Sequence, residues 1–169
     1  LILMPLGSYC GPQENIELII DALKQNKHLE FLEIQHYDFT QVHNLQEIFK
    51  SLGSLKELFF YNCNLGDVGA AALAENLNNN VFLKALKLYE TNVGCDGAEA
   101  FANALKTNNV LEWFYLHNER INDNSVQYFA GALKVNKSLE ILRLENSNPK
   151  NLLNDTSLLA LLYALQENR

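Results

Sequence analysis

The sequence predicts an α/β fold in which about six copies of one strand–loop–helix unit stack side by side. Two observations support this prediction. A leucine recurs at nearly constant spacing along all 169 residues, and every recurrence is followed first by alternating and then by helix-spaced apolar residues. Because one such unit cannot bury its own apolar face whereas stacked units can, we predict a single repeat domain over residues 1–169.

The first half of each unit has the pattern of a β-strand. The leading leucines lie 28, 26, 28, 28 and 28 residues apart, at Leu1, Leu29, Leu55, Leu83, Leu111 and Leu139. The third and fifth residues after each leucine are apolar, as Phe114 and Leu116 are in the stretch Leu111–Ile121. Since alternate residues of a strand point to opposite faces, these positions predict one buried face and one open face.

The second half of each unit has the pattern of an amphipathic helix. In the segment Gly97–Lys106, apolar residues follow the spacing i, i+3, i+4 and i+7, at Ala98, Phe101, Ala102 and Leu105. Equivalent stripes begin at Ile16, Ala70, Val126 and Leu158. The 26-residue unit keeps Leu45 and Phe49, and the last stripe comes four residues late, so we expect a lengthened loop over 148–156.

Polar residues mark both ends of the predicted helices. The expected N-terminal caps, which accept backbone N–H bonds, are Asp67, Asp96, Asp123 or Asn124, and Asp155 or Thr156. Asparagine recurs at one equivalent position after the helices, at Asn26, Asn80, Asn108, Asn136 and Asn168. Because asparagine tolerates the left-handed backbone conformation that ends a helix, we assign these five residues a structural role.

Stacked units of this kind are expected to curve. Helices are wider than the spacing of roughly 4.8 Å between strands, which predicts an arc with a concave parallel sheet and a convex helical back. Pro5 lies in the first predicted strand, and proline is tolerated at a sheet edge. The sequence stops at Arg169 without a polar cap, so we expect a fragment of a longer chain or a paired last edge.

The motif L-x-x-L-x-L with a following helix and a 28-residue period resembles the leucine-rich repeats of the ribonuclease-inhibitor type. Leu83–Leu88 and Leu139–Leu144 match the core motif, and Gly69–Asn80 matches the helical part. Relatives of this kind include ribonuclease inhibitor, the sensor arrays of innate immune receptors, Ran GTPase-activating protein and tropomodulin. The resemblance therefore implies a horseshoe-shaped solenoid, an intracellular protein and a role in binding another protein.

One column departs from that family pattern. The family usually has asparagine or cysteine at the eighth residue after the leading leucine, where the side chain bonds neighbouring backbone. This sequence has Tyr9, Tyr37, Cys63, Thr91, Glu119 and Ser147 there. We expect Asn62, Asn92, Asn118 and Asn146 to take over part of that role, with locally altered turns.

Charge and composition limit the partners. The net charge of −7 argues against nucleic acid, because phosphate binding needs clustered Lys and Arg. No apolar run approaches the roughly 20 residues of a membrane span, and no signal peptide is recognisable. Three cysteines without a C-x-x-C pair favour reduced thiols and an intracellular, cytoplasmic location.

No motif indicates catalysis or a cofactor. H-E-x-x-H, C-x-x-C and G-x-x-x-x-G-K are all absent from the sequence. The four histidines, at His28, His36, His43 and His117, are too dispersed in the repeat frame to predict a metal site. We therefore predict no enzyme activity, no cofactor and no metal, although a carboxylate pair assembled across repeats is left open.

The open face of the predicted sheet carries a cluster of aromatic residues. Tyr61, Tyr89 and His117 are consecutive in one column, and Phe59 and Tyr115 flank Lys87 in the next. The predicted partner-binding residues are Phe59, Tyr61, Lys87, Tyr89, Trp113, Tyr115, His117 and Arg143. Aromatic groups with flanking charges have the composition of a binding hot spot, but aromatics also favour strands and can pack together without a partner.

The leading functional hypothesis is a protein–protein interaction scaffold that binds a protein or peptide on the concave sheet face. One alternative is a sensor or regulatory repeat array of a larger signalling protein. Another is a bacterial effector delivered into the host cytoplasm, which the abundant asparagine suggests, and a third is a Ran-type GTPase-activating protein. The partner and the oligomeric state are not predictable from the sequence.

Overall fold

The computed structural model describes residues 1–3, 21, 23, 25, 26, 28–117, 120–145 and 155–168. Its strands form one six-stranded sheet in chain order, and every neighbouring pair is parallel. The predicted α/β fold with a parallel sheet is therefore confirmed. Several predictions lie outside the described residues: those for Pro5, Tyr9, the helix beginning at Ile16, Asn118, Glu119, residues 146–154 and Arg169.

The strands begin two residues after the predicted leading leucines in the later units. They are β1 Ile2–Leu3, β2 Phe31–Gln35, β3 Glu57–Tyr61, β4 Ala85–Tyr89, β5 Trp113–His117 and β6 Ile141–Glu145. From β2 onward the register aligns equivalent residues, so that Leu86 pairs with Phe114 and Phe114 with Leu142. This register places each predicted column of side chains side by side across the sheet.

The first strand departs from the predicted repeat frame. Leu3 pairs with Ile34, whereas a unit beginning at Leu1 would bring Leu6 opposite Ile34. The predicted start of this unit is therefore wrong by three residues. Both registers place apolar residues on the buried face of the sheet. Pro5 has no backbone N–H to donate, which favours the register in which the paired residues precede Pro5.

The core lies between the sheet and the described helices. These are α1 Leu45–Ser51, α2 Gly66–Leu77, α3 Cys95–Leu105, α4 Asp123–Leu133 and α5 Asp155–Glu167. Phe114 of β5 is fully buried, and its ring centroid lies 5.0 Å from that of Phe101 in α3 and 5.7 Å from that of Phe129 in α4. The alternating and helix-spaced stripes predicted for these units thus meet in one core.

The last helix does not bury its predicted stripe. In α5 the buried residues are Ser157 and Ala164, while Leu158, Leu162 and Leu165 are exposed. The predicted leucine stripe is therefore wrong as a buried face. The helices α2, α3 and α4 each lie between two neighbours, whereas among the described residues α5 has only α4 beside it, so its apolar side lines an open groove along β6.

The caps of the helices differ from the prediction, and the start of α3 is capped by a residue of the preceding unit. Asp67 lies inside α2, and its Oδ1 accepts the backbone N–H groups of Gly94 (2.7 Å) and Gly97 (3.0 Å) at the start of α3. Asn122, and neither Asp123 nor Asn124, caps α4 through reciprocal bonds with Ser125. Asp67 and Asp123 are thus wrong as caps of their own helices.

Two further predicted caps have different outcomes. Asp96 is also wrong as a cap, because the helix α3 begins at Cys95 and has Gly94 as its N-cap. Asp155 and Thr156 are the first two residues of α5, and the residue before them is outside the described part of the chain.

Asp123, at the position equivalent to Asp67, also contacts the next unit. Its Oδ1 accepts a hydrogen bond from the hydroxyl of Ser157 in α5 at 2.6 Å.

The recurrent asparagines have a structural role, but not through the predicted left-handed conformation. None of Asn80, Asn108 and Asn136 has a positive φ. Asn136 donates from Nδ2 to the carbonyls of Leu105 (2.7 Å) and Asn108 (2.8 Å), while its Oδ1 accepts the N–H groups of Ser138 and Leu139. The side chain therefore joins one unit to the next and shapes the turn into the following strand.

The turns that follow β2, β3 and β4 share one backbone feature. His36, Asn62 and Glu90 occupy the same position directly after these strands, and all three have positive φ angles of 58°, 50° and 51°. The expected altered turns are thus present at Asn62 and also at Asn92, which has a φ of 60°. Asparagine and histidine are enriched in this conformation whereas glutamate is not, so Glu90 is held in a strained one.

We expect Glu90→Asn to raise the free energy of unfolding by about 0.5–1 kcal/mol, because it places the residue found at the equivalent Asn62 into the left-handed position. Urea unfolding of the two chains measures the difference. Glu140→Asn, at an exposed glutamate without positive φ, is the control and should bring no gain. An equal gain at both positions would indicate a charge effect and not relief of backbone strain.

Candidate functional site

Four side chains form a continuous row on the open face of the sheet, opposite the helices. The ring centroids of Tyr61 and Tyr89 are 5.6 Å apart, and Tyr89 stacks on His117 at 4.2 Å with the planes only 7° apart. Nδ1 of His117 lies 2.9 Å from Oε2 of Glu145. The row exists because β3–β6 align their equivalent residues, so each ring lies one strand spacing from the next.

A second row contains the two cations of the face. Nζ of Lys87 lies 4.2 Å from the ring centroid of Phe59 and 5.1 Å from that of Tyr115, within the range of cation–π attraction. Arg143, on β6, lies beside Tyr115 of β5 and donates from Nε to Glu145. The sequence thus alternates ring, cation, ring and cation across four neighbouring strands.

The two rows enclose a shallow depression that we call the aromatic cleft. Its volume is about 280 Å³. The side chains that define it are those of Tyr61, Lys87, Tyr89, Tyr115, His117, Arg143 and Glu145. Most of the lining is apolar ring surface, with charges at one side, which is the usual composition of a recognition site.

The predicted site residues are not equally available to a partner. Tyr89 is 39% exposed and Trp113 is 41% exposed, which is high for large apolar side chains on a sheet. Phe59 is only 8% exposed, because the edge of the Phe31 ring and the ammonium group of Lys87 cover it. The geometry therefore gives Phe59 a supporting position under Lys87, while Tyr89 and Trp113 face solvent.

The charged wall of the cleft keeps its carboxylate ionised. Hydrogen bonds from His117, and then from Arg143, hold the pKa of Glu145 below its usual value. Burial raises the pKa of Tyr61, with a further contribution from the carboxylate of Glu33. Both directions favour a neutral tyrosine and a negatively charged Glu145 at neutral pH.

Six of the eight predicted residues line the aromatic cleft, Phe59 lies beneath Lys87, and Trp113 lies on the same face outside the cleft lining. Glu145 also lines the cleft but was not among the predicted residues, although it occupies the same column as Tyr61, Tyr89 and His117. Its place in that column, next to a histidine and two residues after an arginine, was the available signal. Binding by any of these residues stays a prediction.

Two other kinds of site are not found in the described residues. No three side chains of His, Cys, Asp or Glu in this part of the chain come close enough to hold a metal ion. None of the helices described here combines the length and the apolar composition needed to cross a membrane.

No protein-family model and no curated protein matches this sequence. Solved structures do share its fold, and two of them are a tropomodulin domain and a leiomodin-1 site. The tropomodulin C-terminal domain from Caenorhabditis elegans is 16% identical with a TM-score of 0.68, and the match covers 91% of this chain and 93% of that one. Actin-binding site 2 of leiomodin-1 is 22% identical with a TM-score of 0.68, and the match covers 94% and 91% of the two chains.

These two structures correct the family resemblance. The assignment to the ribonuclease-inhibitor type of leucine-rich repeat protein is wrong, because these two matching structures are of tropomodulin and leiomodin. The physical reason is that L-x-x-L-x-L and a 28-residue period specify a buried strand followed by a helix, and not one family of proteins. At this level of identity the likeness establishes the fold alone: the chain is an α/β protein folded like the tropomodulin C-terminal domain.

Proposed function

We propose that this chain binds another protein through the aromatic cleft and the adjacent Trp113. The observation that carries the proposal is the exposure of Tyr89 and Trp113, at 39% and 41%, on a face where neighbouring rings already stack. Tyr89 packs against Tyr61 on one side and against His117 on the other, and it still remains exposed to solvent. Large aromatic side chains that stay exposed beside cations are the residues that most often contribute strongly to protein–protein binding.

The alternative is that these rings pack together without a partner. Packing alone accounts for Phe59, which is covered, and for the stacked faces of Tyr89 and His117. It does not account for Trp113, which has no ring contact within the described residues and lies between Ala85 and Ile141 in the register. A binding role explains both kinds of residue and is therefore preferred.

Actin is the first partner to test. The reason is that one structure with this fold, from leiomodin-1, is an actin-binding site. We further propose that residues 1–169 form one intracellular domain of six stacked units, with the open face of the sheet on the inside of an arc. The sensor-array, effector and Ran-type alternatives stay predictions, since neither of the two structures supports them.

The double variant Tyr89→Ala/Trp113→Ala is expected to weaken partner binding by about 30- to 1,000-fold, because hot-spot truncations each remove roughly 1–2 kcal/mol. Cosedimentation with filamentous actin and calorimetry with monomeric actin measure this effect. If actin does not bind, the same comparison is made for a partner enriched from lysate on the unaltered chain. Circular dichroism verifies that the variant is folded.

The matched control is Val68→Ala. Val68 is an apolar side chain on α2, 80% exposed and on the layer opposite the cleft. It should leave partner binding unchanged. If the folded double variant binds every partner as tightly as the unaltered chain does, the proposal is wrong.

A further inference from the structure

Lys87 is unusual among the cations of this protein. It is half-buried in the cleft, whereas every other Lys or Arg in the described residues is exposed. Its Nζ lies between the rings of Phe59 and Tyr115. Holding an ammonium group partly out of water is unfavourable unless it gains a compensating interaction, and ring faces supply only part of one.

No carboxylate of the described residues forms an ion pair with Lys87 to compensate its charge. Other lysines form ion pairs with a glutamate of the neighbouring unit, as in Lys56–Glu30, Lys84–Glu112 and Lys134–Glu167. No carboxylate among the described residues lies within 4.0 Å of Nζ of Lys87. The cleft therefore contains a positive charge without an anionic partner in the described part of the chain.

A second cation stands on the far side of Tyr115. Lys87, Tyr115 and Arg143 are aligned across β4, β5 and β6, so the two cations stem from strands roughly 10 Å apart. Glu145 accepts from Nε of Arg143, and the terminal nitrogens of the guanidinium have no acceptor among the described residues. Two cations against one carboxylate make the cleft positive, in a chain with a net charge of −7.

We propose that the aromatic cleft takes an aspartate or glutamate side chain of the partner protein, with the carboxylate held between the cations of Lys87 and Arg143. This inference rests on the proposed function and names the chemistry that the cleft selects. Apolar or aromatic residues next to the acidic one would contact Tyr89 and Trp113. The carboxylate of Glu145 at the wall disfavours a doubly charged group such as phosphate, so a singly charged carboxylate is the occupant that fits.

The test begins with a display library of random, unmodified peptides selected on the intact chain. We expect enrichment of Asp or Glu next to an aromatic or large apolar residue. The affinity of an enriched peptide is then compared with that of its amide version, in which Asn or Gln replaces the acid. Charge-assisted hydrogen bonds predict that the amide version binds about 10- to 100-fold more weakly.

The variant Lys87→Met keeps an unbranched apolar stem between the two rings but removes the charge. It should lower the affinity for the acidic peptide by about tenfold and leave the affinity for the amide version unchanged. Lys106→Met, at an exposed lysine that follows α3, is the control and should change neither affinity. If Lys87→Met does not fold, the salt dependence of peptide binding to the unaltered chain tests the inference. Added salt should weaken the binding of the acidic peptide and leave that of the amide version unchanged.

The outcomes separate this inference from the proposed function. If enriched peptides lose affinity in Tyr89→Ala/Trp113→Ala but show no preference for acids, the carboxylate inference is wrong and the binding site stands. The same holds if the acidic and amide peptides respond equally to salt. If no enriched peptide depends on Tyr89 and Trp113, the proposed function fails as well.

Discussion

Replacing Asn136 with alanine is expected to lower the free energy of unfolding by about 3–5 kcal/mol. Asn136 is only 4% exposed. Its Nδ2 donates to the carbonyls of Leu105 and Asn108, and its Oδ1 accepts the N–H groups of Ser138 and Leu139. Alanine would leave several backbone groups at the junction of two units without partners, and each such buried group costs about 1–3 kcal/mol when water cannot reach it.

Urea unfolding followed by circular dichroism measures this loss. The control is Asn109→Ala, at an exposed asparagine one position after Asn108, where the change should stay within about 0.5 kcal/mol. A loss below about 1 kcal/mol for Asn136→Ala would mean that water replaces the side chain at this junction. In that case the asparagines would not be the groups that join the units.

The second large effect is expected at Gly97, where α2 and α3 approach each other. A Cβ atom there would lie 2.7 Å from Cγ1 of Val93 and 2.8 Å from Cβ of Ala70. It would also lie 2.9 Å from Oδ1 of Asp67, the atom that caps α3. Because Cβ of Ala70 is fixed to its backbone, the two helices would have to separate, and Gly97→Ala should destabilise the fold by about 2–4 kcal/mol.

Gly131 provides a control with the opposite sign. It lies inside α4, and no atom comes within 4 Å of a Cβ built there. Gly131→Ala should therefore stabilise the protein by about 0.5–1 kcal/mol, through helix propensity alone. Unfolding curves of the two variants should move in opposite directions. A shift of both in the same direction would contradict the close approach of α2 and α3.

The core of the fold was predictable because it depends on short, local patterns. Phe114 and Leu116 alternate within one strand, and Ala98 and Phe101 share one helix face, so their burial follows from period alone. The first strand shows the limit of that reasoning. Apolar residues alternate at both Leu1–Leu3 and Met4–Leu6, and only pairing with the neighbouring strand selects one register.

Contacts between units were not predictable from the same patterns. Asp67 has the residue type and the place of a cap for its own helix, but it bonds the start of the next helix, 27 residues away at Gly94. Asn136 likewise bonds carbonyls of the preceding unit and not its own helix end. A one-dimensional pattern gives the residue type that a turn needs, while the partner depends on how the units stack.

The candidate site was predictable to the extent that it follows from register. Once the strands align equivalent residues, Lys87 must lie between Phe59 and Tyr115, and Tyr89 between Tyr61 and His117. The burial of Phe59 was not predictable, because it depends on cover by the side chains of Phe31, from the neighbouring strand, and Lys87. The same column reasoning would have included Glu145, whose carboxylate now completes the charged wall of the cleft.

The most direct test of the account uses the fact that the chain has one tryptophan. A sample labelled with 5-fluorotryptophan gives a single ¹⁹F resonance from Trp113, which lies beside the cleft. Titration with actin, or with the partner recovered from lysate, should shift or broaden this resonance in step with binding measured by calorimetry. A second sample, Val68→Trp, keeps Trp113 and adds a resonance from α2, which should not respond. A saturated complex that moves the reporter on α2 and leaves Trp113 unchanged would contradict binding at the open face of the sheet.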